Sequence, residues 1–137
     1  MTGSKNDLTY AIDLHRVDAD ARTRVSAAGA RGRAPILSVL QRGMFSSKTE
    51  ALRTGDITFD SAYLITTGSA DDVEGLRLVT QSLLVLANRC SGVWLHADGL
   101  KVTLSWLGFE RDPLVLDAAR DAVVTVAGWH RPDSPYR

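Results

Sequence analysis

The sequence predicts an α+β fold, a two-layer sandwich in which a mostly antiparallel sheet carries two helices on one face. Three observations predict it. Short segments with period-two alternation dominate the first half of the chain. Two stripes of apolar residues at three- and four-residue steps follow within residues 73–87 and 116–127. Between those stripes an Asp98-Gly99 pair joins two alternating strands. A chain of 137 residues is the right size for one domain, 1–137, whose termini 1–7 and 131–137 read as flexible.

Along the chain, residues 8–17 place Leu8, Tyr10, Ile12 and Leu14 on one side of a strand, with Thr9, Ala11, Asp13 and His15 on the other. Residues 18–33 read either as a loop or as a second weak strand through 23–27. Residues 34–40 follow with Pro35 and a β-branched and Leu run, a short strand near an edge. Residues 41–53 read as a loop with a short helical turn. Residues 57–67 read as a strand presenting Ile57, Phe59, Tyr63 and Ile65 on one face, with Ser61 a gap in that face.

Ser69 then caps a helix that opens on Asp71 and Asp72, where acids meet the positive end of the helix dipole. Val73, Leu76, Thr80, Leu83, Leu84 and Ala87 form its apolar stripe, and Gly92 supplies a left-handed stop. With Asp98-Gly99 as a two-residue turn, Ala97 falls opposite Leu100, Leu95 opposite Val102 and Val93 opposite Leu104. Asp112-Pro113 starts a last helix with Leu116, Ala119, Val123, Val126 and Ala127 inward, ending near Gly128.

Charge excludes one broad class of function. The chain carries 16 basic and 16 acidic residues, which gives none of the electrostatic pull expected of a nucleic-acid binder. The signs are uneven, at nine against five in residues 1–55 and seven against eleven in 56–137. Arg16, Arg22, Arg24, Arg31 and Arg33 lie close to Asp13, Asp18 and Asp20 with no aromatic among them, the pattern of a solvated surface. No apolar run approaches the ~18 residues of a membrane span, and the first ten residues lack the pattern of a secretory signal. With Cys90 the sole cysteine, the expectation is a cytoplasmic protein without membrane insertion.

The chemistry-bearing residues do not form a familiar constellation. His15, His96 and His130 lie in separate elements without ligand spacing, so no metal site and no cofactor is expected. A Cys90–His96 nucleophilic pair lacks a third group to orient the imidazole, and Cys90 reads as a small hydrophobe at a helix end. No Gly-rich phosphate loop is present. The candidate binding surface is the polar face of the hairpin, with Trp94, His96 and Lys101, since an indole on a solvent-facing strand is the kind of anchor interfaces use. Trp129 and Tyr136 raise the same possibility near the C-terminus.

The run Arg53-Thr54-Gly55-Asp56-Ile57-Thr58-Phe59-Asp60, followed by a strand, a Leu-rich helix, an Asp-Gly hairpin and a closing helix, resembles an uncharacterised bacterial domain. That domain is often found in membrane-anchored proteins. Its pattern is a Gly-Asp or similar turn, two residues, then Phe-Asp or Phe-Glu entering a strand, and Gly55, Asp56, Phe59 and Asp60 match it. The resemblance spans most of residues 35–128 and implies no reaction. Gly55 permits a positive φ, Asp56 accepts backbone hydrogen bonds and Phe59 anchors the core. The expected function is therefore non-enzymatic association with a protein partner or with another copy. The alternative is an enzyme or small-ligand binder with a cleft formed by Asp56, Asp60, His15 and His96.

Overall fold

The computed structural model describes residues 2–5, 8–17, 20–29, 34–42 and 52–129. In chain order its elements are β1 (Thr2–Lys5), β2 (Leu8–Val17), β3 (Asp20–Ala28), β4 (Ile36–Gln41), α1 (Ile57–Ala62), β5 (Tyr63–Thr67), α2 (Ala70–Arg77), α3 (Thr80–Arg89), β6 (Trp94–Asp98), β7 (Lys101–Leu107) and α4 (Pro113–Gly128). The strands form one antiparallel sheet in the order β1-β2-β3-β7-β6-β4-β5, so the fold is mixed α+β.

Alternation sets one face of this sheet against the core. Val25 and Ala27 of β3, Leu37 and Val39 of β4, Leu95 and Ala97 of β6, and Val102, Leu104 and Trp106 of β7 are all buried in one apolar cluster. Leu83 and Leu86 of α3 join it, as do Val115, Ala119, Ala122, Val123, Val126 and Ala127 of α4. Trp106 and Phe59 are its largest fully buried side chains, each of a kind whose truncation to alanine costs about 3–5 kcal/mol.

Several sequence expectations change. Residues 2–5, expected to be flexible, form β1, with Thr2 opposite Ala11 and Lys5 opposite Leu8. The Lys5 ammonium lies 2.5 Å from Asp121 of α4, but both side chains are over a third exposed, so the ladder rather than the ion pair holds this strand. The ambiguous 18–33 region contains β3, a strand at the middle of the sheet with seven residue pairs to β7. Its Arg- and Ala-rich composition is poor in residues favoured by strands, and only its inward Thr23, Val25 and Ala27 betray it. β4 lies one strand in from the edge, between β5 and β6. Residues 43–51, expected to be a loop, and 131–137, expected to be flexible, lie outside the described residues.

The expected strand over 57–67 is a helix and then a strand. Asp56 caps α1, its carboxylate accepting the Phe59 N–H at 3.1 Å, and the Asp60 N–H donates to the Asp56 carbonyl at 2.8 Å. Phe59 and Tyr63, four residues apart, then fall on the same side with ring centroids 5.0 Å apart. Ile57 is 83% exposed, so it belongs to neither the strand face nor the core. Ser61, the gap in the expected strand face, sits on α1 and donates its hydroxyl to the Ile57 carbonyl one turn earlier at 2.8 Å.

The single helix expected between the Ser69 cap and Gly92 is broken at Leu78 and Val79, where Val79 takes a non-helical ψ of 11°. Ser69 caps α2 as expected, accepting from the Asp72 N–H at 3.3 Å while its hydroxyl lies 2.9 Å from the Asp72 carboxylate. Val79 and Leu86 are buried beside the expected Val73, Leu76 and Leu83, whereas Leu84 and Ala87 are only half-buried. Gly92 has φ 67°, and the Cys90 N–H closes α3 on the Leu86 carbonyl at 2.7 Å.

The hairpin register also shifts. Ala97 pairs with Val102 and Leu95 with Leu104, so the two loop residues are Gly99 and Leu100, not Asp98 and Gly99. Asp98 accepts from the N–H groups of Leu100 and Lys101, both at 2.9 Å, and Gly99 takes φ 93°. These two hydrogen bonds hold the Asp98 carboxyl below its usual pKa range. A shift of two residues preserves the facing of every side chain except Leu100, which lies on the loop and is exposed. Asp112 and Pro113 start α4 as expected, the Asp112 carboxylate accepting from the Leu114 N–H at 2.9 Å.

Trp129, which follows α4, rests on α2. A Cβ added at Gly75 would fall 2.8 Å from Trp129 Cδ2 and 2.9 Å from Cε3. Gly75→Ala would ordinarily gain about 1 kcal/mol of helix propensity. Urea denaturation is expected to show a net loss of about 1–2 kcal/mol instead, because the ring must move. In a Trp129→Leu background the same substitution should become neutral or stabilising.

Candidate functional site

The face of the sheet opposite to the core is built in rows by the strand registers. One row runs Leu64, Leu40, Trp94, Ser105, Arg24 and Asp13. The next runs Ser38, His96, Thr103, Ser26 and Ala11. Hydroxyl and small side chains therefore surround one aromatic pair. Trp94 is 41% exposed, its indole N–H donates to Ser38 Oγ at 3.0 Å, and its ring centroid lies 5.5 Å from that of His96 at 47°.

Leu40 lies opposite Trp94 and Leu64 opposite Leu40, the latter only 8% exposed although it faces away from the core. A side chain held by a hydrogen bond at its indole N–H and flanked by a second ring has less rotamer freedom to lose when something packs on it. Trp94 and His96 are thus brought together by the sheet. Lys101 is also exposed, but sits at the hairpin end, two residues along β7 from Thr103, the residue opposite His96. Farther along the first row Arg24 donates to Asp13 at 3.0 Å, an exposed pair across β2 and β3.

The alternative cleft is not assembled. The Asp60 carboxylate is buried and accepts three hydrogen bonds, from the Thr54 N–H and hydroxyl at 2.9 Å each and from the Gly55 N–H at 3.1 Å. Asp56 is committed to capping α1. The Thr54 hydroxyl accepts from the Asp56 N–H, and Arg77 Nε donates to the Thr54 carbonyl at 2.8 Å. The 54–60 turn is thus a knot of backbone and carboxylate, with φ 93° at Gly55. His15 and His96 stand on β2 and β6, three strand spacings or about 14 Å apart across the sheet. His130 and Tyr136 lie outside the described residues.

Cys90 is not paired with His96. Its thiol lies 3.6 Å from Glu110 Oε1, the same oxygen that accepts the Trp106 indole N–H at 3.0 Å. The other Glu110 oxygen accepts the N–H groups of Arg111 and Asp112, and the Glu110 N–H donates to Thr23 Oγ1, which itself donates to the Gly108 carbonyl. Burial first, then the charge and hydrogen bond of Glu110, push the Cys90 thiol up to about 12. That makes it a poor nucleophile at neutral pH. Sequence reasoning missed Glu110, Thr23 and Trp106, whose cluster joins residues 83 to 87 positions apart. No spacing rule reports such a contact. Tyr63 is likewise withdrawn from chemistry, its hydroxyl donating to the Leu83 carbonyl at 2.5 Å and its pKa raised chiefly by burial.

Among the described residues no group of three or more His, Cys, Asp or Glu side chains is placed to hold a metal ion. None of the described helices is long and apolar enough to cross a membrane. The molecule is thus defined as an α+β protein with a fixed, half-exposed Trp94–His96 pair on one sheet face. No protein-family profile matches the sequence, and no curated protein matches it. Among solved structures it is similar to the crystal structure of the mycobacterial trehalose monomycolate transport factor A, TtfA. The match has 12% identity and a TM-score of 0.42 over 97% of this chain and 83% of that one, a level at which neither fold nor function carries over.

Two outcomes test these assignments. Asp60→Ala strands three donors in the 54–60 turn and is expected to cost about 3 kcal/mol in urea denaturation. Cys90 should alkylate with iodoacetamide far more slowly than in the unfolded chain at pH 8. Glu110→Gln removes the adjacent negative charge, stabilises the thiolate and should raise that rate, with folding checked by circular dichroism.

Proposed function

We propose that this protein is non-enzymatic and acts by association, with the Trp94 face as the surface that meets a protein partner or another copy. The observation that carries this reading is the fixed indole of Trp94, half exposed, pinned to Ser38 and flanked by His96. An aromatic ring already held in its bound position is favourable at an interface, because ordering it costs little on binding. The side chains that would carry chemistry support the same reading. Asp56, Asp60 and Cys90 are each committed to local hydrogen bonds.

On this reading the helices occupy one face of a two-layer sandwich, which leaves the Trp94 face for the partner. The buried set of the opposite face, packed with α3 and α4, supports that arrangement. Lys101 marks the rim of the surface, and the compartment is the cytoplasm. We also place the chain with the uncharacterised bacterial domain that its 53–60 turn resembles.

The test compares wild-type protein with Trp94→Ala, matched for folding by circular dichroism. Co-purification from the source cells and static light scattering are expected to show bound protein or self-associated mass that the substitution removes, while Phe109→Ala, an exposed aromatic elsewhere, keeps it. Identical partners and identical mass for wild type and Trp94→Ala would refute the reading.

A further inference from the structure

We propose that the outer edge of β2 pairs with the same edge of a second copy, forming a symmetric dimer with a continuous sheet. The motive is a mismatch in strand length. β2 has ten residues but β1 only four, and β1 covers β2 from Leu8 to Ala11. On its other side β2 is paired with β3 as far as Val17. Among the described residues no strand pairs with the outer edge of residues 13–17, so that edge presents extended backbone donors and acceptors. The opposite end of the sheet differs, since β5 is shorter and is bridged at Ile65 by Leu52.

A second copy fits because the uncovered edge bounds its own register. An antiparallel pair about a two-fold axis normal to the sheet puts residue 15 opposite the partner's residue 15, Asp13 opposite the partner's Val17 and Leu14 opposite the partner's Arg16. Sliding by two residues in one direction drives Val17 onto the position beside the partner's Ala11, which β1 already fills. Sliding by two in the other direction leaves three residue pairs in place of five. A slip of one would set the core face of one copy beside the Trp94 face of the other. Leu14 is 43% exposed at this edge, on the side of the sheet that carries Tyr10 and Ile12, and the partner strand would cover it. The Asp13 carboxylate, at the end of the paired segment, is already paired with Arg24. Such an isologous contact closes on itself and stops at two copies.

Five residues a side bury less than the ~1,200 Å² of stable complexes, so the dimer is a reversible one. Sedimentation of the wild-type chain from about 10 μM to about 1 mM should show a monomer–dimer equilibrium. Residue 15 supplies the register test. Cα atoms directly opposite across an antiparallel pair are about 4.5–5.5 Å apart, within the range of a disulfide. His15→Cys in a Cys90→Ser background should therefore cross-link on mild oxidation, faster as concentration rises. Ala11→Cys, which lies beneath β1, should not. A single monomeric species over the whole concentration range overturns the proposal, as does cross-linking at position 15 no faster than at position 11. Trp94→Ala is expected to leave the cross-link unchanged, so this proposal and the reading of the Trp94 face fail independently.

Discussion

The ladder between β3 and β7 holds the molecule together. Strands β1, β2 and β3 come from the first 28 residues, whereas β7, β6, β4 and β5 form the other part of the sheet, and among the described residues the strands of the two groups pair along Arg22 opposite Leu107 through Ala28 opposite Lys101. The same seam is tied at one end by Arg22 donating to Ser105 and by the Thr23 hydroxyl donating to the Gly108 carbonyl. Helix α4 packs across β2, β3 and β7, so its buried valines and alanines depend on the seam having formed. Without it Val25 and Ala27 would have no apolar layer to join. The Cys90–Glu110–Trp106 cluster is a by-product of the same juncture, since Glu110 reaches Thr23 only because β3 lies beside β7.

Much of this architecture was legible where local chemistry decides the outcome. Ser69 and Asp112 announced their helices because capping is a short-range interaction, and Gly92 announced a stop because φ 67° suits glycine. The facing of β6 and β7 was legible because alternation survives a register error of two. What was hidden depended on distant partners. β3 has weak strand propensity, and seven residue pairs from β7 override it. The 57–62 helix was masked by an apparent alternation whose first member, Ile57, is solvent-exposed, while the carboxylate of Asp60 folds back on Thr54 and Gly55 to set the turn. The break at Val79 has no proline or glycine to mark it.

The candidate site divides in the same way. Trp94 and His96 were readable as neighbours on one strand face, two residues apart. Ser38, which fixes the indole, was not, because it comes from β4, which sequence reading could not register against β6. Lys101 was correctly placed on the face but not at the same level, an error that follows from the shifted turn. Asp56 and Asp60 looked like paired carboxylates only until their partners were known. Both are consumed within seven residues of chain, as befits a turn motif that carries structure.

The seam between β3 and β7 also governs how the chain is made. Ala28 and Lys101 are 73 residues apart, and Arg22 and Leu107 are 85 apart. At ribosomal rates of about 5–20 residues per second, the N-terminal hairpin waits roughly 4–16 s for the strand that completes it. During that interval the inner side of β3 is open to solvent and to neighbouring nascent chains. The polar and charged residues of β3, Arg22, Arg24 and Ser26, alternate with its short apolar ones, which makes one face of the waiting strand polar. The composition that hid this strand from sequence reading is thus suited to a strand that must be synthesised early and paired late.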